Sequence, residues 1–143
     1  MNKIFDLYKK YQEIINYLIV GVLTTVVSIV TYFIFSLILD IENNILFILA
    51  NVLSWICAVV FAYITNKKFV FNTTTSSKKE ELKVFSMFVS SRISTLLIEL
   101  AFMFITVKVI LINDKIAKVI AQFIVIILNY VLSKLFVFKK KNN

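Results

Sequence analysis

Apolar residues run along this chain in four long stretches, and the polar residues between them are few. Residues 17–39 and 45–66 carry no charge. Residues 84–112 are apolar but hold Arg92, Glu99 and Lys108, and residues 116–138 are apolar apart from Lys118 and Lys134. Each stretch passes the ~20 residues that a helix needs to cross roughly 30 Å of hydrocarbon. Backbone groups in that setting must be satisfied within the segment, so the stretches predict helices. The alternating pattern of membrane-barrel strands is absent from them. The expected fold is an all-α membrane protein with four transmembrane helices.

Ahead of the first stretch, Ile4, Phe5, Tyr8, Tyr11 and Ile15 fall near one helix face, with Lys3, Lys9, Lys10 and Glu13 mostly elsewhere. The spacing predicts a short N-terminal amphipathic helix lying on the membrane surface; a frayed tail is the alternative. The first apolar run is too long for the h-region of a cleavable signal peptide and lacks a small-residue cleavage site.

One signature is written twice. Residues 63–71 read YITNKKFVF and residues 130–138 read YVLSKLFVF. Tyr63 and Tyr130, Lys67 and Lys134, and Phe71 and Phe138 are each 67 residues apart, with Asn66 matched by Ser133. Each copy closes an apolar run and is followed by lysines. The chain is therefore expected to be a single domain over 1–143 made of two parallel two-helix repeats, about 14–71 and 82–138. Internal symmetry of this kind is common among transporters.

Composition narrows the function classes. With 60% hydrophobic residues in 143 and a mean hydropathy of +0.91, a soluble domain of this size would leave too much apolar surface in water. There is no His, and the single Cys57 lies inside an apolar run, so neither a metal site nor a cofactor is expected. One Gly and no Pro disfavour phosphate-cradling loops and Pro-broken helices. No His base, nucleotide-binding pattern or carboxylate-rich loop is present, and Ser90, Ser91 and Ser94 lack an identifiable base, so no enzyme is expected.

Charge sets an orientation. Lys3, Lys9 and Lys10, then Lys67, Lys68, Lys78, Lys79 and Lys83, then Lys134 and Lys139 to Lys141 make 12 of the 16 basic residues, all on one side of the predicted spans. The positive-inside rule places that side, with both termini, in the cytoplasm. The net charge of +8 then faces anionic lipids and is not a nucleic-acid surface, because it is divided among three short segments. The central loop, NTTTSSKKEE, has no room for a catalytic domain, and its glycosylation triplet at Asn72 falls on the cytoplasmic side.

The polar residues inside the spans carry the candidate chemistry. Arg92 is the only arginine. Glu99, seven residues on, shares its helix face about 10 Å away, too far for a tight pair between them. Intramembrane ions face a cavity or a partner. For Arg92 the readings are a lipid phosphate, which its planar fork suits, or an ion pair with another helix. Lys118 either snorkels to the outer interface or meets a phosphate there, so that Arg92 and Lys118 mark two ends of a headgroup path. Asn51, Asn66, Gln122 and Asn129 suit sugar hydroxyls or helix–helix hydrogen bonds. Tyr63, Phe69, Phe71, Tyr130, Phe136 and Phe138 lie near the predicted cytoplasmic interface, and aromatic anchoring there accounts for most of them.

Four spans in this length, the opening YLIVGVLTT, the run NVLSWICAVVFAYITNKKFVF, the closing NYVLSKLFVF, Arg92 early in span three and Lys118 opening span four resemble the GtrA-like family. The resemblance covers roughly residues 17–138. The chain looks most like the teichoic acid glycosylation members of Gram-positive bacteria, being rich in Lys, Ile and Asn with little Arg. The resemblance implies translocation of a polyprenyl-phosphate-linked sugar across the cytoplasmic membrane for glycosylation of a cell-surface polymer. It carries substrate-binding roles to Arg92, Lys118, Asn66 and Asn129, joined here by Glu99 and Asn51. It carries structural motif positions to Val70 and Phe71, joined by Phe88, Tyr63 and Phe138. Ser133 departs from the Asn of the first half. Membrane glycosyltransferases are further expected partners, as are membrane lipids, from the basic surface, and further copies of the chain, since four spans are few to enclose a path. Two other readings stand beside it. A cation exporter of the small-multidrug-resistance type would use Glu99 as its coupling carboxylate, although that family's acid belongs in the first span. A non-catalytic stabilising subunit of a membrane glycosyltransferase needs no transport path.

Overall fold

Polar caps start the helices, and π-turns end three of the four. Asn43 caps the second helix, its Oδ1 accepting from the Ile45 and Leu46 amides at 2.9 and 3.4 Å. Ser77 caps the third, its hydroxyl accepting from Glu80 N at 3.2 Å. The Glu80 carboxylate reaches back to Ser76 N at 2.8 Å, in the manner of a capping box set one residue earlier. Asn113 caps the fourth, accepting from Lys115 N at 3.0 Å. Each cap satisfies amide groups that would otherwise be orphaned at a helix start.

The structure, a computed structural model, describes residues 2–40 and 42–139, with only the backbone of Asn2. Lys140 and Lys141 of the basic C-terminal segment lie outside the described residues. Helix α1 runs Asn2–Ile38, α2 Asn44–Thr65, α3 Lys78–Phe104 and α4 Asp114–Leu132. Three π-helical turns directly succeed α2, α3 and α4, at Asn66–Val70, Ile105–Val109 and Ser133–Val137. Among the described residues, four segments are long and apolar enough to cross a membrane: Lys3–Ile38, Asn44–Val70, Lys78–Val109 and Asp114–Val137. The expected all-α membrane architecture is present.

One difference concerns the N-terminus. The segment expected as a separate interfacial helix is the start of α1, which continues unbroken through 37 residues, about 55 Å at helical rise. The sequence explains this: no Gly or Pro stands before Gly21, so nothing interrupts the ladder between the amphipathic segment and the apolar one.

The chain divides into two compact units, Met1–Thr74 and Thr75–Asn143. In the first, α2 packs against α1. Its buried stripe is Ala50, Ser54, Ala58 and Ala62, at four-residue spacing. Small side chains at that spacing let helix backbones approach closely where the hydrophobic effect gives no drive between helices. In the second unit α4 packs against α3, and Ala117 and Ala121 are the matching buried small residues.

Backbone hydrogen bonds close each π-turn. The Phe71 amide donates to the Asn66 carbonyl at 2.9 Å, Phe138 N to Ser133 O at 2.8 Å and Ile110 N to Ile105 O at 2.9 Å. Residues in left-handed conformation then stop two of these turns, Asn72 at φ 46° and Leu111 at φ 63°. Asn tolerates this region, whereas Leu seldom enters it. In a chain with a single glycine, these residues do what glycine does at many helix ends.

Candidate functional site

Along the face that α3 and α4 share, polar side chains form a line through an otherwise apolar unit. Arg92 lies on α3 with its guanidinium carbon 4.8 Å from the centroid of the buried Phe88 ring, a cation–π contact that holds the head in place. Among the described residues of its unit, no carboxylate pairs with it. One turn on, the buried Thr95 hydroxyl lies 3.0 Å from the Arg92 carbonyl and 2.8 Å from Asn129 Oδ1 on α4. Its single proton serves one of these acceptors at a time.

A further turn along α3, the Glu99 carboxylate pairs with Lys118 and accepts from Gln122 Nε2 at 2.9 Å. The Glu99 side chain is 12% exposed and that of Lys118 is 55% exposed. Arg92, Thr95 and Glu99 share a face by their spacing of three and four, as do Lys118 and Gln122 on α4. Neither sequence reading of Lys118, snorkelling or phosphate contact, anticipated this pairing. The signal was there: Glu99 is the one acid inside the four apolar stretches, and such a group requires a cation or donors nearby.

The two signature segments, one in each unit, are buried in the same manner. Asn66 donates its amide to the Ala62 carbonyl at 2.7 Å, while its Oδ1 is buried with no hydrogen-bond partner. Ser133, 67 residues later, has a buried hydroxyl oxygen that is likewise unpartnered. Val70 and Val137 are buried. Phe71 packs on Tyr17 of α1 with centroids 6.4 Å apart, and Phe138 packs on Phe88 of α3 at 5.8 Å. In each unit the last aromatic of the signature therefore folds back onto the unit's first helix.

Interfacial anchoring was expected for most of the six signature aromatics, and the structure divides them. Phe69 and Phe136 are 58% and 61% exposed and suit that role, but Phe71 and Phe138 are only 4% and 2% exposed. Tyr63 is buried as well. The extra residue in each π-turn rotates the second Phe inward, which helical spacing alone would not reveal. The lysines stand over these aromatics. Lys67 Nζ is 5.9 Å from the Tyr63 centroid, and Lys134 Nζ is 3.2 Å from the Tyr130 hydroxyl.

Asn51 joins neither group. It lines an open cavity of about 390 Å³ in the first unit together with Ser28, Val52, Ser54 and Trp55. Of the residues expected at a site, Arg92, Glu99, Lys118 and Asn129 come together along α3 and α4. Asn66 is a buried residue of the first unit, and Asn51 belongs to a separate cavity there. Thr95, Ser28 and Trp55 were missed, because a threonine, a serine or a tryptophan in an apolar run gives no signal without its neighbours.

Comparison with known proteins decides the family. The family model of the GtrA/DPMS transmembrane domain matches residues 16–138. The chain belongs to the GtrA/DPMS transmembrane family. Arg92, Lys118 and both signatures of this GtrA-type chain fall within the matched region. It is 38% identical over 129 residues, 90% of its length and 86% of the relative's, to the cell wall teichoic acid glycosylation protein GtcA of Listeria monocytogenes serovar 1/2a. It is 37% identical to the protein of that name from Listeria innocua serovar 6a, covering 89% and 85%. It is 39% identical to the membrane protein YwcD of Bacillus subtilis strain 168, covering 87% and 94%. No solved structure matches it significantly.

Proposed function

We propose that this GtrA-type protein moves a polyprenyl-phosphate-linked monosaccharide across the cytoplasmic membrane, where an external glycosyltransferase transfers the sugar to a surface polymer such as teichoic acid. The observation that carries the reading is Arg92: an intramembrane guanidinium seated on Phe88 without a carboxylate partner among the described residues of its unit. A charge held in that setting needs a counter-charge. A phosphate on a lipid carrier supplies one that arrives and leaves, and the planar fork binds it at two points. The names of the Listeria relatives, which refer to teichoic acid glycosylation, support the polymer class.

Lys118 is the second cation of the path. Its ammonium is held by Glu99 and is mostly exposed, so an arriving phosphate competes with Glu99 for it. Gln122 stays with the carboxylate when the lysine leaves. A bare sugar phosphate in hydrocarbon costs many kcal/mol, and cations lining the way reduce that barrier while the prenyl tail stays in lipid. Both termini and the 72–77 loop are cytoplasmic in this reading, because the lysines concentrate there. Four helices are few to enclose a path, so the working form is a homo-oligomer. The exporter reading loses ground, because Glu99 is occupied by a lysine of its own chain.

A deletion strain tests the proposal. Loss of the surface sugar together with accumulation of its polyprenyl-phosphate form on the cytoplasmic side is the expected result. Loss of the sugar without accumulation would point to a stabilising subunit of the glycosyltransferase, and an unchanged surface would overturn any role in this glycosylation.

A further inference from the structure

We propose that the cavity of the first unit is a binding site for the sugar ring itself, with Trp55 as its stacking platform and Asn51 and Ser28 as its hydrogen-bonding groups. The proposal rests on the lipid-linked-sugar reading above and adds a separate set of residues to it. The cavity, about 390 Å³, is lined by Ser28 of α1 and by Asn51, Val52, Ser54 and Trp55 of α2. That volume lies at the small end of the range for ligand pockets, about 300–1,000 Å³. It is large enough to take one sugar ring.

The lining lies at membrane depth. Asn51 and Trp55 are seven and eleven residues beyond Asn44, the first residue of α2, or about 10 and 16 Å along the axis. Hydrocarbon offers no hydrogen bonds there, so every polar group needs a partner. Two side chains are partly satisfied by their own helix. Asn51 Nδ2 donates to the Phe47 carbonyl at 2.8 Å, and the Ser54 hydroxyl donates to the Asn51 carbonyl at 2.8 Å. The Asn51 side-chain oxygen, the Ser28 hydroxyl and the Trp55 indole N–H make no hydrogen bond among the described residues. Three unpaired polar groups thus border one cavity beside an aromatic face.

The chemistry of that lining selects its occupant. It holds no charged side chain, so it does not recognise the phosphate. A lipid acyl chain would leave the amide, the hydroxyl and the indole N–H unpaired. A sugar ring presents an apolar C–H face to the indole and hydroxyls to the other groups, and so matches both halves of the lining. The second unit makes the contrast. Lys118 and Gln122 stand 67 residues after Asn51 and Trp55, and both are engaged with Glu99. The corresponding helix face is charged and internally paired in one unit, neutral and open in the other.

Trp55 is the only tryptophan in the chain, so tryptophan emission reports on this one side chain. The purified protein in lipid nanodiscs is titrated with short-chain prenyl phosphates carrying glucose, galactose or N-acetylglucosamine, and with the same prenyl phosphate bearing no sugar. A saturable change in Trp55 emission with at least one sugar-bearing lipid, and none with the bare phosphate, is expected. By native mass spectrometry, Trp55→Leu and Asn51→Leu should each weaken that sugar-bearing lipid about tenfold and leave the bare phosphate within about twofold. Trp55→Tyr, which keeps an aromatic face, should retain most of the affinity and serves as the folding control. Equal emission responses to both lipids, or unchanged affinity in Trp55→Leu, would overturn the sugar site while leaving the phosphate reading intact. Failure of every lipid to bind would overturn both.

Discussion

Arg92 and Glu99 are two ions on one helix face, seven residues apart, and the structure treats them oppositely. Among the described residues of the unit, Glu99 has a lysine and a glutamine, whereas Arg92 has an aromatic ring and no carboxylate. Removing either Glu99 or Lys118 leaves a charge unmatched in the membrane, so those substitutions act first on stability. In a double-mutant cycle of Glu99→Gln and Lys118→Met, read by unfolding in bicelles, the coupling should be about 1 kcal/mol. Arg92 behaves differently because no carboxylate among the described residues of its unit pairs with it. Arg92→Ala should abolish surface glycosylation with the protein still present in normal amount, and Arg92→Lys should restore it only in part, since an ammonium lacks the two-point fork. Immunoblotting of membranes beside a surface-sugar assay separates the two effects; a marked fall in abundance for Arg92→Ala would assign it a structural role. Sequence placed Arg92, Glu99, Lys118 and Asn129 among the candidates because ionic and amide groups stand out against an apolar run. It did not pair Glu99 with Lys118, because their contact depends on how α3 and α4 are set against each other, which residue spacing within each helix does not state.

At the scale of the element, the π-turns explain what periodicity could not. The spans were legible from hydropathy, whereas the caps at Asn43, Ser77 and Asn113 emerged only with the structure. The ends are less regular. Asn66–Val70 and Ser133–Val137 are each wound with one residue more per turn than an α-helix, and this turns the final Phe of each signature into its unit. The consequence is measurable. Phe71→Ala and Phe138→Ala should each cost about 3–5 kcal/mol, as buried aromatics do, whereas Phe69→Ala and Phe136→Ala should cost less than about 1 kcal/mol. Thermal unfolding of the four purified variants in one detergent gives the comparison. Similar losses at all four positions would restore the reading of these residues as equivalent anchors. Helix α1 is a second case: the amphipathic pattern of its first turns was legible, but its continuity with the apolar part was not, since continuity depends on the absence of any breaker.

For the whole molecule, the charge distribution and the path make joint demands. With Cys57→Ser removing the one native thiol, a cysteine at Thr74 should resist an impermeant maleimide added to intact cells and react once the cells are opened. Labelling from outside would reverse the orientation, and with it the leaflet from which Arg92 would first meet the proposed lipid phosphate. The direct test of the account is a translocation assay. Proteoliposomes carrying the purified protein are loaded in one leaflet with a short-chain prenyl phosphate bearing a sugar, and the fraction reaching the opposite leaflet is tracked with an impermeant sugar oxidant. The account predicts that the wild-type protein speeds this transfer well above protein-free liposomes and that Arg92→Ala, incorporated in equal amount, falls to the protein-free rate. Wild-type vesicles no faster than empty ones, or an Arg92→Ala protein as fast as wild type, would contradict it.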